Sequence, residues 1–360
     1  MLQYILKRLL LMLPTLFGVL LVSFIVIQFV PGGPVEQMVY QLKGRGAAES
    51  AGNTSAGTSG GGTGGMYQAA RGLSDEQLTQ IKTQYGFDKP AHERFWLMLK
   101  SYATFDLGES WFRHASVTEL IREKLPVSMS LGISSLLLTY LIAVPLGVAK
   151  AVRHGSRFDA ATTLLLMIGY AIPSFVLGVV LLVLFGGGSF WQVFPLRGLM
   201  SDDWQTLSLL GKAMDLLWHV ALPVTAMVVG GFASLTMLTK NSFLEEIHKQ
   251  YVTTARAKGA SEKRIFWRHI LRNAALPLMV GLPEAIIAAF FTGSLLIETL
   301  FSLDGLGLLA YESVLRRDYP VVLGTLYFFT LLGLVGKLLS DLGYVLLDPR
   351  VQFAAVGEKS

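Results

Sequence analysis

Four acidic or basic side chains of the Asp, Glu, Lys and Arg types sit inside long apolar runs of this 360-residue chain. Glu284 and Glu298 fall within Pro277–Phe301, and Lys337 and Asp341 within Val321–Leu347. Ionisable groups in such runs are costly to desolvate and mark ion, proton or substrate paths. Glu284 is a candidate contact for a cationic group; the alternative is an acid that lines a pore or bonds to its own helix. Glu298 is a candidate on a translocation path, or it orders the Gly305-Leu306-Gly307 segment that follows. Lys337 and Asp341 have the i, i+4 spacing of a salt bridge within one helix, with Lys337 snorkelling toward the surface.

Other kinds of chemistry lack their residues. A phosphate-cradling loop needs G-x-x-x-x-G-K-[ST]. Gly211-Lys212-Ala213 and Gly336-Lys337-Leu338 have neither the hydroxyl residue nor the earlier glycine. There is no H-E-x-x-H, the six histidines are scattered, and the absence of cysteine removes disulfides, thiolate metal sites and thiol nucleophiles. His269 is read as a packing or hydrogen-bonding residue, and Ser74 in Leu73-Ser74-Asp75-Glu76-Gln77 as a helix cap. Asn53-Thr54-Ser55 fits a glycosylation pattern that a bacterial source would make meaningless.

The elements that hold these residues are membrane helices. Only 15% of the residues are charged, against about 25% in soluble domains. Six runs are long enough, at about 20 residues, to cross a bilayer: Leu9–Val30, Met129–Val148, Ala161–Phe185, His219–Thr239, Pro277–Phe301 and Val321–Leu347. The expected fold is therefore an all-α polytopic membrane protein with six transmembrane helices. The first run is too long for a signal peptide and lacks its cleavage site, so it is expected to be retained. With the N-terminus inside, segments 1–8, 149–160, 240–276 and 348–360 hold 15 Lys and Arg in 70 residues, against 14 in 150 for the opposite side. The positive-inside rule then gives N-in and C-in, with an extended extracytoplasmic segment, 31–128, between helices 1 and 2. Within it Gly44–Gly65 reads as a disordered Gly/Ser insert, and Ser74–Lys100 as helical, with an amphipathic pattern resuming over His92–Tyr102. The segment is too small and too poor in apolar residues for a catalytic domain. The chain thus divides into 1–30, 31–128, a five-helix core 129–347 with the cytoplasmic loop 240–276, and a tail 348–360.

That loop has its own pattern. Ile247, Tyr251 and Ala255 make one face of a short helix. Ala255 and Ala257 leave room for a partner backbone, and Gly259 is placed to end the helix with φ > 0. Ser261 can cap a second helix that pairs Phe266 with Ile270 and Trp267 with Leu271. Residue types alone leave two readings open: an elbow that docks on a partner, or a basic loop that binds anionic lipid headgroups.

The run Thr254-Ala255-Arg256-Ala257-Lys258-Gly259, nine residues, then His269-Ile270-Leu271-Arg272-Asn273-Ala274-Ala275-Leu276-Pro277 resembles the EAA loop of ABC importer permeases in its dipeptide/oligopeptide form. Thr253-Thr254-Ala255 stands where the general pattern has Glu-Ala-Ala, as in the peptide branch. Val30-Pro31-Gly32-Gly33-Pro34, Tyr85-Gly86-Phe87-Asp88-Lys89-Pro90, Phe105-Asp106-Leu107-Gly108-Glu109-Ser110, Ala171-Ile172-Pro173-Ser174-Phe175, Ile297-Glu298-Thr299-Leu300-Phe301-Ser302 and Arg317-Asp318-Tyr319-Pro320 are similar to further motifs of that family, with Gly33 where the family has Asp. Phe291-Thr292-Gly293-Ser294-Leu295-Leu296 is most like the B-type permease of importers that also take up microcin C.

The resemblance implies a permease subunit in the bacterial inner membrane that moves peptides and is not itself an enzyme. It implies a heterodimer with a second permease, an ABC ATPase with two nucleotide-binding domains, and an extracytoplasmic solute-binding protein. ATP and Mg would sit on the ATPase, with no cofactor on this chain and no nucleic acid among the partners. Thr254, Ala255, Arg256, Ala257, Lys258, Gly259 and Ala260 become the expected ATPase-coupling residues. Glu284 and Glu298 become the expected positions on the path, Glu284 toward a peptide amino group or basic side chain. The rival class is a stand-alone secondary transporter or channel, which would want several ionisable residues near the midplane. A membrane-embedded hydrolase lacks a metal or nucleophile set.

Overall fold

The structure is a computed structural model that describes residues 2–29, 88–186, 190–291 and 294–347. The turn at 31–34, the Gly/Ser insert 44–65, the helix start expected at 74–87 and the tail 348–360 lie outside the described residues. The helices, in chain order, are α1 (Leu2–Phe29), α2 (Ala91–Ala103), α3 (Val117–Val152), α4 (Arg157–Ala171), α5 (Ser174–Phe185), α6 (Leu209–Ile247), α7 (Gln250–Ala257), α8 (Glu262–Ile265), α9 (Leu271–Ala274), α10 (Leu276–Phe291), α11 (Leu295–Leu300), α12 (Leu306–Leu315) and α13 (Tyr319–Leu347). A π turn, Phe266–Ile270, joins α8 to α9. Two isolated bridge pairs, Glu109 with Ser116 and Gly186 with Phe194, are the extended pairings among the described residues.

Among the described residues, four helices are long and apolar enough to cross a membrane: Tyr4–Phe29, Val117–Val152, Leu209–Ile247 and Tyr319–Gly343. The count reaches six if each of two bent pairs is one span. One pair is α4 with α5, bent by 94°. The cause is Pro173, which has no N–H to give the helix and forces the residue before it out of helical geometry. Ile172 accordingly has φ −86° and ψ 120°. The other pair is Glu262–Ala274 with Leu276–Ala289, bent by 49°. Apolar side chains such as Leu6, Leu13, Leu141 and Leu165 stay exposed along these helices, as a lipid-facing surface requires.

The chain divides into two compact units, residues up to 12 with 121–311 and from 329 on, and residues 13–120 with 312–328. In the larger unit, Leu131 of α3 packs with Val220, Val224 and Val228 of α6 and with Ile297 of α11. In the smaller unit, Phe95 of α2 packs against Phe17 and Phe24 at ring separations of 5.6 and 5.3 Å, and Tyr102 against Tyr327 at 5.1 Å. There Asp318 accepts hydrogen bonds from Ser110 Oγ at 2.5 Å and from the Trp111 amide at 3.1 Å. Burial pushes its carboxyl above the usual carboxylate range. Arg113 pairs with Glu312 at 2.7 Å in the same unit.

Candidate functional site

The loop after α6 is a helical elbow set on a small core. Expected as part of one continuous face, Ile247 instead ends α6, and the short helix α7 starts three residues later. Tyr251 and Ala255 do share a face of α7, and both pack with the loop core. Lys258 closes α7, and Gly259 follows with φ +78°. A residue with a Cβ would lose roughly 1–2 kcal/mol in that left-handed region; glycine does not. The Gly259 and Ala260 amides bond back to Arg256 and Ala255 oxygens at 3.0 and 3.2 Å. Ser261 then caps α8, its Oγ accepting from the Arg264 amide. Across the bend, Arg256 donates two bonds to the Glu262 carboxylate at 2.6 and 3.0 Å.

Beneath the elbow, Val252, Ile265, Ile270 and Ala274 are buried with Phe243 of α6 and Ala151 of α3. Ile265 and Ile270 are five residues apart, and the π turn between them is what brings both inward. Phe266 stacks on Phe243 at 5.9 Å. Trp267, expected to pair with Leu271, is 61% exposed and meets Phe266 edge-on instead. The extra residue of the π turn breaks the i, i+4 register that the expected pairing assumed. Tyr251 donates to Glu246 at 2.5 Å and accepts from Asn273 at 3.3 Å, and Glu246 also pairs with Lys249. Burial and the Glu246 carboxylate raise the Tyr251 phenol pKa, so it stays a neutral donor.

Below this core lies a buried ionic cluster that sequence reasoning missed. Both oxygens of Asp159 in α4 accept from Lys240 of α6 at 2.8 Å. Lys150 of α3 reaches the same carboxylate at 3.1 Å and is wholly buried. Its remaining bonds go to the Asp159 carbonyl and to the Thr162 and Thr163 hydroxyls, at 2.7–2.9 Å. A buried ion needs such complete pairing to be tolerated. The cluster joins three helices at the base of the elbow. Its signal in the sequence is faint: a lysine at the end of one apolar run and an aspartate near the start of the next.

Of the expected coupling residues, Thr254, Arg256, Ala257, Lys258 and Gly259 are exposed, while Ala255 and Ala260 are half-buried on the loop core. An open cleft of about 610 Å³ lies inside the elbow. Thr254, Ala255, Lys258, Gly259 and Ala260 line it; Arg256 and Ala257 do not. Tyr251, Arg264, Arg268 and His269 line it too, although the sequence did not single them out for this.

The intramembrane candidates are not brought together with the elbow. Glu284 is exposed on α10. Glu298 is fully buried: its carboxylate accepts from Ser128 Oγ at 3.2 Å and from the Leu308 amide at 2.8 Å. Gly305 lies so close that a Cβ there would stand 2.6 Å from that carboxylate. Asp341 pairs with Arg8 of α1 at 2.7 Å and accepts from Tyr4 at 3.0 Å, not with Lys337 as its spacing suggested. The guanidinium offers a directed donor beside a second donor, and Lys337 is exposed.

Residues 143–353 match the family described as the binding-protein-dependent transport system inner membrane component. The chain is 51% identical over 358 residues to an inner membrane ABC transporter permease protein, YejB, of Escherichia coli O157:H7, covering 97% of this chain and 98% of that one. It is 53% identical over 356 residues to a protein of Agrobacterium fabrum named peptidoglycan transport system permease protein YejB, with the same coverage. An oligopeptide transport system permease protein, AppB, of Bacillus subtilis is 30% identical over 354 residues, covering 98% of this chain and all of that one. These relatives set aside the stand-alone secondary transporter, the channel and the hydrolase. The chain belongs to the binding-protein-dependent ABC permeases of the inner membrane, in their peptide-importer branch, and is a transport subunit rather than an enzyme.

Proposed function

We propose that this chain forms half of the membrane pathway of an ATP-driven peptide importer and is driven through the elbow Thr254–Ala260. The observation that carries the reading is the construction of the elbow. α7 and Gly259 present exposed small and basic residues, while the other side of the elbow is fixed to α3 and α6 by a buried core. Such a part moves as a rigid body when pushed.

Six spans then cross the membrane, N-in and C-in, with the bent pair α4–α5 as the third and Pro277–Phe301, which starts after the elbow, as the fifth. The long segment 31–128 and the segment 302–320, which holds α12, then face outward, and 240–276 inward. A second permease subunit completes the pathway, a solute-binding protein delivers peptide from outside, and an ATPase pair sits below. ATP supplies the bias between inward- and outward-open states, since only a ligand that favours one state shifts the equilibrium. Substrates are peptides and peptide-like compounds, in keeping with relatives named for oligopeptide and peptidoglycan transport; microcin C belongs to the same chemical class. Glu284, exposed on a span, is the proposed contact for a cationic group of the substrate.

The test is cysteine cross-linking, which is clean because the chain has no cysteine. Thr254→Cys and Ala257→Cys, scanned with the other positions to Ala260, are expected to cross-link to cysteines on the ATPase surface in the assembled importer. If none from 254 to 260 does so, the elbow is not the docking element.

A further inference from the structure

We infer that the cleft inside the elbow is a carboxylate receptor: it holds one or more acidic side chains of the ATPase, gripped by Lys258, Arg264 and Arg268. This rests on the reading of the elbow as the ATPase seat and names the chemistry of that contact.

Charge bookkeeping within the loop points there. Arg256 is satisfied by Glu262, and Glu246 by Lys249 and Tyr251. Lys258, Arg264 and Arg268 line the cleft and form no ion pair among the described residues. No acidic residue lines the cleft with them. Arginine offers paired donors that match a carboxylate fork, and both arginines line the cleft. Ala255 and Ala260 contribute only methyl side chains to the cleft lining, so an entering side chain can reach the cations.

Position favours a protein acid over a lipid headgroup. α6 continues eight residues past the apolar run that ends at Thr239, a rise of about 12 Å. The headgroup layer on one side is only roughly 5–8 Å deep. On the proposed topology, with 219–239 crossing the bilayer, the elbow that follows the end of α6 is placed beyond the headgroups.

The experiment uses the whole importer, with its ATPase, in discs of phosphatidylcholine and in discs containing phosphatidylglycerol. A zero-length carbodiimide couples an amine to a carboxylate only when the two are in contact. It is expected to join Lys258 to an aspartate or glutamate of the ATPase, and R264K and R268K are each expected to add a product. The triple variant K258Q/R264Q/R268Q is expected to bind the ATPase about tenfold more weakly in both kinds of disc, with a flatter salt dependence, since exposed charge pairs act through attraction that salt screens. If A257C still cross-links to the ATPase but none of the three amines gives a product and affinity is unchanged, the receptor is refuted and the docking stands. Loss of affinity confined to phosphatidylglycerol discs would make the occupant a lipid and overturn the inference. Failure of every position from 254 to 260 to cross-link would remove the seat and the receptor together.

Discussion

At Gly259 the backbone, and not the space around it, limits what can stand there. Its φ is +78°, and a Cβ built on it meets nothing within 4 Å. Gly259→Asn should therefore be tolerated, because asparagine enters the left-handed region readily. Gly259→Val, β-branched, costs at least the roughly 1–2 kcal/mol of that region or bends the elbow away from it. Peptide-stimulated ATP hydrolysis by the reconstituted importer is expected to stay near wild type for G259N and to fall severalfold for G259V. Equal rates for the two variants would show that the bend does not matter. Gly259 and Ser261 were legible in the sequence because a helix stop and a cap are local events. The partner of Asp341 was not: Arg8 is 333 positions away in sequence, and local spacing offered Lys337 instead. Glu298 falls between these cases. Its nearness to Gly305-Leu306-Gly307 was readable, but the bond from Ser128, 170 residues away, was not.

The elbow moves as one piece only if the helices at its base are tied, and the Lys150–Asp159–Lys240 cluster ties α3, α4 and α6. Two cations share one carboxylate there, so the three members are not equivalent. Asp159→Asn leaves two buried lysines without a counter-charge, a change of the kind that costs about 3–5 kcal/mol. Lys240→Met leaves a neutral Lys150–Asp159 pair whose hydrogen bonds to Thr162 and Thr163 persist, and should cost much less. Thermal unfolding of the purified complex is expected to show D159N far below wild type, K240M close to it, and the D159N/K240M double variant above D159N alone. If K240M falls as far as D159N, the charge argument is wrong. Elements were legible wherever the apolar run was long, as for α1, α6 and α13. Their breaks were less so. Ala161–Phe185 reads as one span, whereas the ring and missing donor of Pro173 turn the chain by 94° within it. The π turn left only a trace, the five-residue spacing of Ile265 and Ile270, which an i, i+4 template passes over.

For the molecule as a whole, the energy source follows from which ionisable groups are free to act. Of the four in the apolar runs, Glu298 is committed to Ser128 and the Leu308 amide, and Asp341 to Arg8. That leaves Glu284 and Lys337, both exposed, which is a sparse set for coupling transport to an ion gradient. The chain also lacks a phosphate-binding loop, and in the proposed importer work enters from the partner ATPase through the elbow. Right-side-out membrane vesicles carrying the full importer are therefore expected to take up peptide only when loaded with ATP, and to keep doing so after a protonophore collapses the proton gradient. Glu284→Gln should leave this ATP requirement intact while lowering uptake of peptides with a free amino group or basic side chains. If uptake of every peptide class is unchanged, Glu284 is not a substrate contact. If uptake proceeds on a gradient without ATP, the elbow is not where the driving force enters.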